Sequence, residues 1–307
     1  MSDLTSVFGG ALSKDPAVAI PSPPAATTGR AGPEHRTQFV VELVGPRSVP
    51  AQAAAALLSA QWFQALGQPE LFAMSAADRD WQPLTARTDG SYDSLVLAWD
   101  LLSDRGILTT QAAKHLFQTA ESFASHIQRR AMPLPPPEDI DRYVAALKDI
   151  QENLDIGVEI LLVPKAGGFA EKEIWIHLAK LGYDLKASGF FEITPVGSSH
   201  PLVTVTPTGG ADGFRLSSVQ SGVTHPAVLI GFSLPLSPNA SYSLDAALKT
   251  ASYLATNLNG VAFTDSDQML DSRTERELKS NLDAAVVAMT NAGIQPGSRA
   301  AMNLFAG

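Results

Sequence analysis

The chain has 307 residues, enough for about two domains with ordinary cores, and its 45% hydrophobic and 17% charged residues place it among globular proteins. With 22 basic against 31 acidic residues the net charge is -9, and no basic run is longer than Arg129-Arg130, which argues against a nucleic-acid partner and gives no attraction to an anionic bilayer. The absence of cysteine excludes disulfides, Cys-ligated zinc, iron–sulfur clusters and thiol catalysis together.

Residues 1–36 are predicted to form a disordered arm. Met1–Gly10 has neither the charged n-region nor the apolar h-region of a signal peptide, and Pro16, Pro21, Pro23, Pro24 and Pro33 stand among Ala, Thr, Gly and Ser. From Gln38 the pattern changes. Phe39–Val44 reads as a strand stopped by Gly45-Pro46, Ala51–Leu66 as a helix, Leu71–Met74 as a short strand and Leu95–Leu101 as another strand. Thr109 or Thr110 caps a helix to about Gln128. Pro133–Pro137 is an extended break before a helix from Glu138 to about Leu154.

The same order then recurs. Val158–Val163 is a strand, Ala170–Leu181 a helix ended by Gly182, and Phe190–Ile193 and Leu202–Val205 a strand pair. Phe214–Val219 and Val228–Leu234 are further strands. A helix capped by Ser243 runs to Asn259-Gly260, and Ser272-Arg273-Thr274-Glu275 is a capping-box pattern opening the last long helix, to about Met289. Residues 291–307 read as a Gly/Ala/Asn tail. No run reaches the roughly 18 apolar residues of a membrane span, so no direct membrane insertion is expected and a cytoplasmic location is.

Two passes through one order suggest a repeat. A shift of 131 carries Ala113, Phe117, Ala120, Phe123 and Ile127 onto Leu244, Leu248, Ala251, Leu254 and Leu258, one helix face in each copy. A shift of 133 carries Leu95, Leu97, Trp99 and Leu101 onto Val228, Ile230, Phe232 and Leu234, and a shift of 119 carries Leu43-Val44 onto Leu162-Val163. The prediction is an α+β protein of two copies, residues 37–154 and 155–290, each an antiparallel sheet with helices on one face.

Side chains alternate along a strand, so Leu95, Leu97, Trp99 and Leu101 should face the helices while Val96, Ala98 and Asp100 face away. In the second copy Val228, Ile230, Phe232 and Leu234 should face in. Leu161, Val163, Ser217, Val219, Leu229 and Gly231 should then form a shallow apolar trough, with Gly231 as a hollow in it. Three readings of that face stay open: a partner groove, a solvated face with scattered apolar residues, or a face packed on the other copy.

The stretch Val228-Leu-Ile-Gly-Phe-Ser-Leu-Pro235, the helix to Asn259-Gly260, Phe263-Thr-Asp265-Ser-Asp-Gln-Met-Leu270 and the segment Phe214-Arg-Leu-Ser-Ser-Val219 resemble the C-terminal domain of the ZipA family of bacterial division proteins. The resemblance covers about residues 157–290. Residues 38–154, notably Trp81, Tyr92 and Asp104-Arg105-Gly106, resemble the extra upstream copy of tandem members. The family implies an antiparallel sheet backed by three helices, whose open face binds the C-terminal peptide of FtsZ. Carried over by position, that groove includes Ser217, Val219, Leu229 and Gly231. The sequence departs from the family at Gly231, where an aromatic anchor is usual, at Asp267-Gln268, where paired arginines are usual, and in having no N-terminal membrane anchor.

Catalytic patterns are missing. His35, His115, His126, His177, His200 and His225 show no H-x-x-x-H spacing, and no carboxylate is expected near His225. Gly197-Ser198-Ser199-His200 is a turn without a third partner, Gly209–Gly213 joins strands without opening a helix, and Glu171 and Glu173 read as a solvated first helical turn. The sequence thus points to a non-catalytic adaptor without cofactor or metal, taking a protein or peptide partner such as a FtsZ-like C-terminal tail and recruited to the division site. The alternatives are a cytoplasmic interaction scaffold of the same fold with another partner and, third, an enzyme of unknown type.

Overall fold

The computed structural model describes residues 7–24, 31–85, 90–103, 106–198, 200–210 and 212–306. It is an α+β protein with antiparallel sheets, and it divides into two compact units. The first unit is Thr28–Asn153 with Ser298–Gly307; the second is Leu154–Gly297 with Met1–Thr27. Among the described residues no helix is long and apolar enough to cross a membrane.

The first unit is built on β1 (Gln38–Val44), β2 (Val49–Pro50), β3 (Glu70–Ser75), β4 (Trp81–Pro83), β5 (Ser91–Asp100) and β8 (Arg130–Leu134). Their order is β4-β3-β5-β1-β8, with β2 paired to β5. The small hairpin β6 (Leu102–Ser103) and β7 (Gly106–Ile107) lies apart from that sheet. Instead of one helix over Ala51–Leu66, the chain makes α1 (Ala51–Ala54), a 3-10 turn, and α2 (Ala60–Ala65). Ser59 is extended and its hydroxyl caps α2 by accepting from the Trp62 amide, which offers the backbone an alternative to a continuous helix. Thr109 caps α3 (Thr110–His126), and α4 (Ile140–Leu154) follows the extended segment. The inner face of the sheet carries Phe39, Val41, Leu43, Leu95, Leu97 and Trp99, all buried. Trp99 stacks on Phe39 and donates its indole N–H to the Leu66 carbonyl at 2.7 Å.

The second unit has the sheet β11 (Asp184–Leu185), β12 (Phe191–Ile193), β13 (Val203–Pro207), β15 (Val228–Ser233), β9 (Gly157–Pro164) and β16 (Gly260–Thr264), in that order. The pair β10 (Phe169–Ala170) and β14 (Thr224–His225) stands beside it. Its helices are α5 (Glu171–Leu181), α6 (Leu216–Gln220), α7 (Ala240–Asn257) and α8 (Ser272–Asn291). Gly182 closes α5 in the left-handed conformation at φ 93. The long helices begin slightly before the predicted caps: Asn239 caps α7, leaving Ser243 buried within it, and the capping box of α8 joins Asp271 to Thr274.

The register reproduces the sequence shifts. Phe39 pairs with Trp99, and their counterparts Val158 and Phe232 pair with each other. Val41 pairs with Pro133, and the counterparts Ile160 and Thr264 also pair. The central strands β5-β1-β8 and β15-β9-β16 are therefore equivalent residue by residue. Beyond them the copies diverge. In the first sheet β3 precedes β4 in the chain and pairs with β5, whereas in the second β13 follows β12 and pairs with β15.

Three further expectations are corrected by the fold. Residues 214–219 are not a strand: Leu216–Gln220 is the short helix α6, because a six-residue apolar/polar run fits one helical turn as well as a strand. The N-terminal segment from Val7 onward is not a disordered arm over its described residues. Phe8 stacks on Trp175, Ile20 is buried, and the Asp15 and Ile20 amides donate to the Lys180 and Leu181 carbonyls, which the end of α5 leaves without helical partners. Residues 291–307 are not a featureless tail, since α9 (Arg299–Phe305) is capped by Ser298 and buries Ala300, Ala301 and Leu304 within the first unit. Each tail thus belongs to the unit built from the opposite half of the chain.

Candidate functional site

The second sheet alternates between buried and half-buried residues along β13, β15 and β16, the signature of one face on a core and one face away from it. Directly opposed residues share a face. Thr206 pairs with Leu229, Leu229 with Leu161 and Leu161 with Phe263, so three large apolar side chains form one row on the outer face. Val163 pairs with Val261 beside that row. A depression of about 300 Å³ lies on this face, lined by Glu159, Thr204, Thr206, Leu229, Gly231 and Ser233 among others.

Four of the six predicted site residues, Leu161, Val163, Leu229 and Gly231, are thus brought together. Ser217 and Val219 are not: both lie in α6, off the sheet, and Val219 is buried. Gly231 is no hollow either. A Cβ there would stand 2.9 Å from the Val158 carbonyl oxygen, so the glycine permits a close approach of backbone and leaves no side-chain-sized vacancy. Val261 and Phe263 were missed by the sequence reading. Their parity in Gly260–Thr264 marks them once that segment is recognised as a strand.

The first sheet is different. Its outer face carries Val40, Phe72, Val96 and Ala98, which form a buried apolar cluster with Trp81 packed against it. Val96 and Ala98 were predicted to face away from the helices, which they do, but that face is covered. At its end Gln38 Nε2 donates to Glu70 Oε2 at 2.6 Å and to Asp100 Oδ1 at 3.0 Å, and Arg299 and Asn303 join the same carboxylates. Of the resemblance residues here, Tyr92 is buried, while Asp104 and Arg105 lie outside the described residues.

Burial pushes the Asp100 carboxyl above its ordinary range; the Glu70 charge adds to this, and Gln38, Arg299 and Asn303 offset part of it. An acid with a raised folded-state pKa contributes stability below its unfolded pKa of about 4 that is lost as pH rises through the folded value. Asp100→Asn removes that titration. The melting temperature of the variant relative to the parent should therefore rise as pH increases from about 4, and a pH-independent difference would contradict this account.

Glu171 is not in a solvated turn. It is fully buried, and its carboxylate accepts from the Arg215 amide at 2.7 Å and Trp175 Nε1 at 3.2 Å, with His225 Nε2 at 2.8 Å. His225 is 3% exposed and its ring meets Phe214 edge-on. The pair fastens β14 and the 214–215 segment to the start of α5. It is a satisfied core histidine, out of reach of a substrate in solution. Ser198 and His200 meet through the turn backbone, and Ser199 lies outside the described residues.

A second cleft, of about 360 Å³, is lined by Glu159, Asp265, Gln268, Glu277 and Asn281 among others, and Glu277 is engaged by Arg273 at 2.9 Å. Among the described residues no group of three or more His, Asp or Glu could hold a metal ion. The chain matches no protein-family model, and no curated protein sequence matches it.

Proposed function

We propose that this chain is a non-catalytic adaptor that takes a short hydrophobic peptide on the outer face of its second sheet. The observation that carries the reading is the half-exposed row Leu229–Leu161–Phe263, flanked by Val163 and Val261, on a sheet whose other face is fully engaged by its core. The resemblance of residues 157–290 to the ZipA family makes the C-terminal tail of a FtsZ-like protein the partner to test first, with a role at the bacterial septum. A scaffold of the same fold with another partner would use the same face. The polar end of that face, Glu159 beside Thr204 and Thr206, suits a ligand that brings a hydrogen-bond donor or a cation next to its apolar anchors.

A groove of this size buries little area, so affinity should be micromolar and rest on one or two anchors. Leu229→Glu tests it. The position lies outside the core, so the fold should tolerate the charge with a small loss of melting temperature. An unpaired carboxylate beneath an apolar ligand should weaken binding about tenfold or more. A folded variant that binds the FtsZ C-terminal peptide as the parent does would overturn the site, and a variant that unfolds would assign Leu229 to the core.

A further inference from the structure

The outer faces of the two sheets are equivalent by register, yet one is half-exposed and the other is buried, with Trp81 packed against it and Arg299 of α9 over its Phe72 ring. The docking of α9 is explicit. The Arg299 guanidinium lies 4.8 Å from the Phe72 ring centroid, donates to the Gly32 carbonyl at 2.7 Å and pairs with Glu70. Asn303 Nδ2 donates to Asp100 Oδ1 at 3.0 Å, and the Leu304 carbonyl accepts from Gln151 Nε2 at 2.8 Å.

Seven residues are too few to be helical alone in water, so α9 owes its helix to the face that receives it. Its charged anchor is of the weak kind, with side-chain exposures of 29% at Arg299 and 49% at Glu70. A weak contact of this sort stays made because the chain holds the segment at an effective concentration in the millimolar range. Its chemistry is that of a ligand: a cation at the first position, small apolar residues at the next two, an amide at the fifth and leucine at the sixth.

We propose that the outer face of the first sheet is a second docking surface, specific for a short cationic-amphipathic helix, and that residues 299–305 are its occupant in cis. A separate molecule of that segment, such as the C-terminus of a second copy, fits the same face when the resident one is released. This inference goes beyond the reading above, which concerns the other sheet, and stands or falls separately from it.

The test uses a fluorescein-labelled peptide of residues 297–306 and two proteins: the chain truncated after Gly297, and the full chain carrying Arg299→Glu. The truncated chain, if folded by circular dichroism, should bind the peptide at least about tenfold more tightly than the intact chain does. The Arg299→Glu chain should gain affinity for the wild-type peptide in the same sense. A peptide carrying Arg299→Glu should fail on the truncated chain and be restored when that chain carries Glu70→Arg, which locates the contact on the first sheet. A truncated chain that folds without binding overturns the proposal. So does an intact chain that binds equally well, or a charge swap that restores nothing. Should truncation unfold the protein, an Arg299→Glu chain that gains no peptide affinity overturns it.

Discussion

Replacing Glu171 with alanine should cost about 3–5 kcal/mol of folding stability, the range for removing one partner of a buried charge network. The carboxylate is fully buried and meets three donors, the Arg215 amide, the Trp175 indole and the His225 ring. Alanine would leave the buried Trp175 indole and His225 ring, and the part-buried Arg215 amide, without an acceptor, and each orphaned buried donor carries a desolvation penalty of about 1–3 kcal/mol. Glu171→Gln preserves the shape and one acceptor oxygen, so it should lose less. Denaturant unfolding of the two variants measures the difference, and a loss below about 1 kcal/mol for the alanine variant would mean that water reaches the cluster.

Phe232→Ala should cost about 3–5 kcal/mol, the range for truncating a buried aromatic side chain. Phe232 is 8% exposed, pairs with Val158 and shares its face with the fully buried Ile230. Its chain neighbour Ser233 points the other way and is half-exposed, so Ser233→Ala should stay within about 0.5 kcal/mol. The contrast between adjacent positions tests the register itself, because a slip of one residue would exchange the two outcomes.

The central strands were legible because alternation is a local signal that survives divergence. The parity of Leu95–Leu101 and Val228–Leu234 is observed, and the shifts of 119 and 133 carry the observed pair Phe39–Trp99 onto the observed pair Val158–Phe232. What stayed hidden depends on residues far apart in the chain. Glu171 and His225 meet across 54 positions, and nothing in the spacing of either announces the other. The N-terminal segment looks unable to fold because proline recurs in its composition, yet Phe8 and Ile20 seat it together with hydrogen bonds to the carbonyls at the end of α5 and from Tyr242 and Lys249. The C-terminal helix is likewise too short to be read from propensity and exists through its contacts with Phe72, Glu70 and Asp100. Of the candidate site, the residues on β9 and β15 followed from parity. Ser217 and Val219 failed because a short apolar run does not declare whether it is strand or helical turn.

The two outer faces explain why the site is assigned to one copy. Val40, Ala98 and Val96 of the first sheet correspond to Glu159, Gly231 and Leu229 of the second. A covered apolar centre has become a carboxylate and a glycine beside an apolar row. The first face is thereby suited to small apolar residues, the second to a ligand that combines apolar anchors with a donor.

The most direct test of the account is chemical-shift mapping of the isotopically labelled full chain titrated with a FtsZ C-terminal peptide. The account predicts saturable shifts in the micromolar range confined to the outer-face positions Glu159, Leu161, Val163, Leu229, Val261 and Phe263, with the buried Glu171–His225 cluster unmoved. Shifts that cluster on α5, α7 or α8, or a spectrum unchanged at millimolar peptide, would contradict it.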